Sequence, residues 1–394
     1  MDTLIELYDE RPLENVLATD MFQPKRTVFI CNREAGADGK LERKMKDYVQ
    51  YRGLKTELVF MDAKQYSVSS VLAALRQVVG QYPDCVLDIT GGTDDELFAA
   101  GILCSEKEIP VITYSLTLNR FFSILNASDY EDLGCPIRYS AEDFFRMAGG
   151  VMREGRVDNT ILENYFDIID PFFDIFMKNR RKWGSIVAYF QQVSQIPREQ
   201  PIKLEVTGSY TVKGERGQRI SAPEEVLRKL EHIGMLRDLR IEPEKKVSFV
   251  FRDAQVRKWL RDVGSVLELY TYKKCVECGL YNDVHTSVVV DWEKKTGRDK
   301  VTNEIDVMAV RGVIPVFISC KTCAVTTEAL NELAVLRDRF GGKGARAAIV
   351  TTEKCKPVTI NRARELDIDV IEQRDIVSGQ WKNRLKALAK NCRT

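Results

Sequence analysis

The sequence Val301-Thr-Asn-Glu-Ile-Asp306-Val-Met308 is followed, after a short turn, by Val316-Phe-Ile-Ser-Cys-Lys321-Thr322. Both stretches are rich in β-branched and aromatic residues, which predicts a β-hairpin. Because the far ends of paired antiparallel strands lie side by side, we expect Asp306 and Lys321 to meet. A carboxylate can anchor a divalent cation, and an ammonium group can steer the attacking water and offset charge on a scissile phosphate.

Two further acids are candidates for the same site. Glu304 lies two residues before Asp306 and therefore projects from the same face of the predicted strand. Glu268 lies within Trp259–Tyr270, which we interpret as a helix preceding the hairpin. A second acid supplied by a preceding helix is usual in metal-dependent sites of this kind, so Glu268 is the candidate for that role.

These residues resemble the PD-(D/E)xK family of restriction-endonuclease-like proteins. The resemblance makes Glu268 the helix acid, Asp306 the core acid and Lys321 the terminal lysine. It implies an α/β nuclease domain that cleaves phosphodiester bonds with the help of Mg²⁺ or Mn²⁺.

The chain departs from that family at Ser319, where the family has Asp or Glu two residues before the lysine. A hydroxyl is a weak and neutral ligand, so cation binding would have to depend on Glu304, Glu268 or the carbonyl oxygen of Cys320. Ser319 therefore implies a site that is either rearranged or impaired. The plain alternative is an ordinary hairpin whose acids are solvated at its ends.

Length and composition set limits on the architecture and the partners. A chain of 394 residues is long enough for two or three domains. The net charge of +1 argues against a uniformly basic nucleic-acid surface, so any such contact has to come from local patches. The N-terminus lacks a charged leader before an apolar run, and no stretch reaches 18 uninterrupted apolar residues. We therefore expect a cytoplasmic protein without membrane contact.

The ten cysteines are best interpreted as mostly buried, reduced thiols. The pairs Cys275/Cys278 and Cys320/Cys323 have the spacing of zinc ligands. The interval between them is far wider than in common zinc ribbons, and the second pair overlaps the proposed catalytic strand. A structural zinc site is therefore disfavoured.

The N-terminal part alternates strand and helix patterns, which predicts a parallel, doubly wound sheet. The predicted strands are Thr27–Cys31, Thr56–Phe60, Cys85–Ile89 and Pro110–Tyr114, and the predicted helices are Gly39–Arg52, Val68–Gly80 and Asp94–Ser105. One strand ends in Asp88-Ile-Thr-Gly-Gly-Thr-Asp94, directly before a helix. The two glycines allow close approach of a ligand, and the helix N-terminus offers N–H groups to an anion. This pattern indicates a phosphate-rich ligand, although a plain strand-to-helix turn would look similar.

That strand–turn–helix unit resembles the CRISPR-associated Rossmann fold (CARF) domains, which sense the cyclic oligoadenylates made by type III CRISPR complexes. The resemblance implies that the backbone of the ligand is held by Thr90, Gly91, Gly92 and Thr93. It also implies that Asn32 and Arg33, after the strand ending at Cys31, line the same pocket, and that two copies of the chain form a homodimer around a ring-shaped ligand such as cyclic tetra-adenylate.

Four segments follow from these patterns: a CARF-type sensor at 1–140, a helical linker and dimer interface at 141–200, a small winged-helix-like spacer at 201–252, and a nuclease module at 253–394. The linker contains the aromatic run Asn164–Phe176, which we interpret as interface, and the spacer contains an amphipathic helix at Pro223–Gly234. The fold class is α/β in both end modules.

A sensor joined to a nuclease module implies a cyclic oligoadenylate-activated nuclease that acts on DNA or RNA in type III CRISPR antiviral defence. Other CARF proteins carry a ribonuclease module with an arginine five to seven residues before a histidine, and neither His232 nor His285 has one. Two alternatives remain: a ligand-responsive DNA-binding regulator whose nuclease fold has lapsed at Ser319, and a restriction-type nuclease with an unrelated sensor.

Overall fold

The computed structural model describes residues 1–31, 39–64, 66–154, 157–195, 201–291, 302–342 and 344–389. Its strands are β1 Thr3–Leu7, β2 Arg26–Cys31, β3 Glu57–Asp62, β4 Cys85–Asp88, β5 Val111–Ser115, β6 Arg120–Leu125, β7 Leu133–Gly134, β8 Val151–Glu154, β9 Glu205–Ser209, β10 Thr211–Lys213, β11 Arg219–Ser221, β12 Leu236–Glu242, β13 Lys246–Phe251, β14 Asp283–Asp291, β15 Thr302–Arg311, β16 Ile314–Lys321, β17 Arg346–Thr351 and β18 Ile368–Ile371. Its α-helices are α1 Leu17–Phe22, α2 Lys40–Arg52, α3 Val68–Gln81, α4 Asp94–Glu106, α5 Ala141–Met147, α6 Phe166–Asn179, α7 Trp183–Val193, α8 Glu224–His232, α9 Ala254–Leu260, α10 Ser265–Glu277, α11 Thr327–Gly341, α12 Pro357–Glu365, α13 Gln373–Val377 and α14 Trp381–Leu388. Over these described ranges, no helix combines the length and the apolar character that crossing a lipid bilayer requires.

The N-terminal sheet has the strand order β3-β2-β1-β4-β5-β6-β7. The strands from β3 to β5 in this order are parallel, and β6 and β7 add an antiparallel edge. The parallel, doubly wound sheet predicted from the sequence is confirmed. The antiparallel edge was not predicted.

The central strand of this sheet, β1, was also missing from the sequence prediction. It pairs with β2 on one side and β4 on the other, so both halves of the sheet depend on it. It is only five residues long and contains Glu6. A charged residue in so short an apolar run makes a buried strand difficult to recognise from the sequence. Because β1 was missed, the loop that follows it, Tyr8–Arg11, was not considered as part of a ligand pocket.

The C-terminal sheet has the order β18-β17-β16-β15-β14-β8. Side chains that alternate along its strands enter two different cores. Val316 of β16 packs in a core with the helices α6 and α10. Phe317 and Ile349 instead pack in one core with Phe29 and Ile112 of the N-terminal sheet. The two sheets therefore share a single apolar layer.

The aromatic run of α6 lies inside one copy of the chain. Phe172, Phe173 and Phe176 are buried, and the ring of Phe173 stacks on Tyr270 of α10 at a centroid distance of 3.7 Å. These side chains belong to the intramolecular core and are not available to a second copy. The dimer interface predicted for this stripe is therefore wrong.

The segment between α7 and α9 forms a small antiparallel sheet of order β12-β13-β9, with the hairpin β10–β11 and the helix α8 packed beside it. The exposed side of α8 carries ion pairs between Arg228 and Glu224 and between Lys229 and Glu225. Acids balance bases on this helix, which favours the spacer interpretation over a DNA-recognition helix.

A pair of carboxyl groups lies buried in the N-terminal sheet. Glu6 of β1 is the direct partner of Asp88 on β4. Glu6 is 0% exposed, and neither of its carboxyl oxygens accepts a hydrogen bond from any residue in the described ranges. Burial and the neighbouring Asp88 raise the pKa of Glu6 well above its ordinary value, and burial raises the pKa of Asp88 to about 6.

We expect Glu6→Gln to raise the free energy of unfolding at pH 7–8 by about 1–3 kcal/mol, because the amide is neutral without the proton that Glu6 has to bind on folding. Glu6 binds its proton more tightly in the folded state, so its ionisation penalty is full above the raised pKa and vanishes below the ordinary value of about 4.3. The difference in melting temperature between the variant and the wild type should shrink as the pH falls. Thermal unfolding between pH 4.5 and 8 checks this, with the exposed Glu108→Gln as control. A variant less stable than the wild type at pH 8 would contradict it.

Candidate active site

The two strands of the hairpin β15–β16 stop pairing at one end, and the side chain of Asp306 makes hydrogen bonds to β16 there. The ladder runs from the pair Arg311/Ile314 to the pair Val307/Ile318 and then stops. Beyond it, the Oδ2 atom of Asp306 accepts hydrogen bonds from the Cys320 backbone N–H at 2.6 Å and from the Ser319 hydroxyl at 3.1 Å. The carboxylate thus replaces a backbone acceptor and is fixed in one orientation.

Lys321 completes this arrangement, with its Nζ atom 3.8 Å from Asp306 Oδ2. Glu304, Asp306, Ser319 and Lys321 line one cavity of about 60 Å³. A space of this size holds a few water molecules at most. The residues that hairpin geometry places together are therefore together in the structure. The other wall of the cavity is α11, which contributes Glu332.

Glu268 lies on the other side of the sheet. The helix α10 that carries it contacts β16 through Thr271, whose hydroxyl is 3.5 Å from the Sγ atom of Cys320. Cys320 alternates with Ser319 and Lys321 along the strand, so α10 packs on the face opposite to the cavity. Glu268 does not line the cavity, and its role as the helix acid stays a prediction.

The electrostatic environment of Asp306 has opposing contributions. Burial raises the pKa of Asp306 above its ordinary value, and the nearby Glu304 acts in the same direction. The Lys321 ammonium group and the hydrogen bonds from Cys320 and Ser319 lower it but do not cancel the effect of burial. Two carboxylates close enough to repel each other are the arrangement that a cation would stabilise.

The donors present are of the kind that Mg²⁺ and Mn²⁺ prefer. Asp306 uses only Oδ2 for its contacts, so its Oδ1 atom accepts no hydrogen bond within the described ranges. Glu304 offers a second carboxylate, and the Cys320 carbonyl is a further oxygen donor beside them. Among the residues described, no three His, Cys, Asp or Glu side chains are close enough together to hold a metal ion. A cation here would thus depend on two carboxylates, backbone oxygens and water.

Sequence reasoning missed two residues of this site. Glu332 reaches it from α11, and only the packing of that helix on the sheet brings it near. Ser287 of β14 donates its hydroxyl hydrogen to Glu304 Oε1 at 2.8 Å. No motif marks either residue, because both contacts are made between elements distant in the sequence.

A second cavity, of about 450 Å³, opens at the carboxyl ends of β1, β3 and β4. Its walls include Tyr8–Arg11 after β1, Lys64 and Tyr66 after β3, and Gly92 and Thr93 before α4. The strand order reverses between β1 and β4, which is the position where doubly wound sheets bind ligands. The cavity is therefore a candidate ligand pocket.

The hydroxyl of Thr90 makes two hydrogen bonds within the protein. It donates to Asp88 Oδ1 at 2.5 Å and accepts from the Tyr114 backbone N–H at 2.8 Å, which ties β4 to β5. Its hydrogen is therefore not available to a ligand phosphate while these bonds are kept. Asn32 and Arg33, the other predicted pocket residues, lie outside the described residues.

The two glycines let the turn pack closely on β1. A Cβ atom on Gly91 would lie 3.1 Å from the Leu7 carbonyl oxygen, and a Cβ atom on Gly92 would lie 2.8 Å from Leu7 Cβ. Gly92 also has a φ of +94°, which other residues rarely adopt. Thr93 follows as the N-cap of α4, and its backbone N–H donates to Glu96 Oε2 at 2.8 Å, as in a capping box.

Comparison with known proteins shows what the C-terminal module is similar to. Residues 255–390 match the family model described as the Card1-like endonuclease domain. The C-terminal module is thus similar to Card1-like endonucleases. No curated protein matches the chain.

Two solved structures are similar over nearly the full length. Protein VC1899 from Vibrio cholerae has 18% sequence identity and a TM-score of 0.74, and the match covers 98% of this chain and 97% of that one. Can2 from Sulfobacillus thermosulfidooxidans, solved in complex with cyclic tetra-adenylate, has 16% identity and a TM-score of 0.69, with 99% of both chains covered. The resemblance predicted from the sequence and the predicted two-module α/β fold are confirmed.

We expect Gly92→Ala to lower the free energy of unfolding by about 1–3 kcal/mol, because the added Cβ meets Leu7 and the backbone conformation becomes strained. The matched control is Gly101→Ala in α4, where a Cβ meets nothing within 4 Å. That change should raise stability by up to about 1 kcal/mol. Calorimetric unfolding of both variants checks this, and equal effects at the two positions would show that the turn tolerates a side chain.

Proposed function

We propose that this chain is a divalent-metal-dependent nuclease that cyclic tetra-adenylate switches on, and that it cleaves DNA or RNA in type III CRISPR antiviral defence in the cytoplasm. The observation that carries the proposal is the Asp306–Lys321 pair at the open end of the hairpin, within residues that match an endonuclease family model. The pocket between β1 and β4, in a fold shared with a protein solved with cyclic tetra-adenylate, supports the activator.

At the nuclease site, Asp306 and Glu304 would hold Mg²⁺ or Mn²⁺, and the bound cation would supply an activated water and offset charge on the phosphate. The chain itself does the positioning. Ser319 and Cys320 orient the Asp306 carboxylate, so that its Oδ1 atom points away from the strand contacts. Lys321 presents a positive charge 3.8 Å from Asp306. There it can contact a phosphate oxygen or orient the attacking water.

At the ligand pocket, a phosphate-rich ring would meet only two cationic side chains among the described lining residues, Arg11 and Lys64. Acids are more numerous there, so binding would depend on these two cations together with backbone N–H groups of the turn before α4. Tyr66 is 84% exposed beside the cavity. Its ring offers a surface on which an adenine can stack. The proposal includes a homodimer in which two pockets share one ring.

Ser319 favours a second candidate function. Without an acid at that position, the module could have lost cleavage and the chain could act as a ligand-responsive regulator. The balanced charge of α8 argues against a DNA-recognition helix in the spacer, and the intact Asp306–Lys321 geometry argues for retained chemistry. We therefore prefer the nuclease.

The test is cleavage of supercoiled plasmid, single-stranded DNA and single-stranded RNA in four conditions, with and without Mn²⁺ and with and without cyclic tetra-adenylate. We expect cleavage of at least one substrate only when both are present. Asp306→Asn should lower the rate by about 100-fold or more, because it removes a cation ligand at a cost of several kcal/mol. Asp129→Asn, on the exposed surface of the N-terminal domain, is the matched control and should cleave normally.

Cleavage without the ligand would leave a nuclease but remove the sensor role. No cleavage by a protein that binds the ligand would favour the regulator. Full activity of Asp306→Asn would overturn the site.

A further inference from the structure

The backbone of β14 is strained next to the candidate site. Ser287 lies within this strand at a φ of +54°, in the left-handed region that residues other than glycine seldom adopt. Its side chain is only 1% exposed, so no solvent contact explains the conformation. Such a backbone conformation is unfavourable and persists mainly at functional sites. A glycine would relieve it, which raises the question of what the serine side chain does.

The hydroxyl of Ser287 holds an acid of the site. It donates to Glu304 Oε1 at 2.8 Å. Ser287 lies between Thr286, the partner of Val307, and Val288, the partner of Ile305, so it lies across from Asp306 on the neighbouring strand. The strained residue therefore lies opposite Asp306 in the sheet, and its hydroxyl holds the Glu304 carboxylate, which lines the cavity.

The neighbouring residue stabilises this unusual backbone. Within the described residues, Thr286 has no strand partners on the β8 side, because the pairing of β14 with β8 runs from Asp291 to Val288. The side-chain amide of Asn159 takes their place, because its Oδ1 accepts from the Thr286 N–H at 2.8 Å and its Nδ2 donates to the Thr286 carbonyl at 3.0 Å. The Thr286 hydroxyl then donates to the Asp306 carbonyl at 2.7 Å.

We infer that Ser287 is a positioning residue for a divalent-cation site whose two acidic ligands are Asp306 and Glu304. Glu304 supplies the second carboxylate in place of the acid that is absent at position 319. The strained backbone of β14 places the Ser287 hydroxyl where it holds the Glu304 carboxylate. This inference rests on the proposed function and adds to it the residue that positions the second ligand. Position 319 then needs no acid, since its hydroxyl serves to orient Asp306.

The experiment is calorimetric titration of the full-length chain with Mn²⁺ alone, combined with thermal unfolding without metal. Ser287→Gly removes the hydroxyl and relieves the strain, and Ser287→Ala removes the hydroxyl and keeps the Cβ atom. We expect both variants to bind Mn²⁺ about 10–100-fold more weakly than the wild type. Ser287→Gly should nevertheless be the most stable of the three proteins in the absence of metal. Glu304→Gln should weaken Mn²⁺ binding at least as much.

The matched control is Asp238→Gly in the spacer, because Asp238 has the same φ of +54° and is remote from the site. It should gain stability and keep the Mn²⁺ affinity of the wild type. Wild-type affinity in Ser287→Gly and Glu304→Gln, in a protein that loses binding with Asp306→Asn, would overturn this inference and leave the nuclease proposal standing. Absence of Mn²⁺ binding by the wild type at millimolar concentrations would overturn both.

Discussion

One apolar layer, shared between two sheets, is the constraint on which the arrangement of both sites depends. Phe29 and Ile112 of the N-terminal sheet and Phe317 and Ile349 of the C-terminal sheet belong to one core, so neither sheet can rotate freely against the other. The edge of this layer joins the two sites through Glu14. Cβ atoms built on Gly91 and Gly342 would lie 3.3 Å from its Cβ and Oε2 atoms, respectively. The turn before α4 and the end of α11 therefore lie close to the same side chain.

The position of α11 matters for the candidate active site, because this helix also forms one wall of the cavity beside Asp306. In the proposed activation, a ligand that moves the Gly91–Gly92 turn would act on α11, which bounds the candidate active site at its other end. The site itself is held by local interactions, namely the hydrogen bonds to the Asp306 carboxylate and those of the strained Ser287. Close-packed cores tend to shift between discrete arrangements, so the proposed activation would need only a small displacement at the pocket.

The sequence was sufficient where periodicity and hairpin geometry determine the structure. Four parallel strands, the helices after them and the meeting of Asp306 with Lys321 follow from local patterns. It failed where a local pattern is overridden: β1 carries the buried Glu6, and the aromatic α6 is enclosed by elements far along the chain. The Ser287–Glu304 contact could not be predicted, because it depends on a backbone conformation that no residue type signals.

We propose that the ligand pocket and the nuclease site are energetically coupled, and such coupling is reciprocal. The most direct test is the affinity of the non-cleaving Asp306→Asn chain for cyclic tetra-adenylate, measured by titration with and without a saturating single-stranded DNA or RNA. We expect the nucleic acid to tighten ligand binding by about 5-fold or more. Equal affinities, with the nucleic acid shown to be bound, would contradict coupling between the two sites.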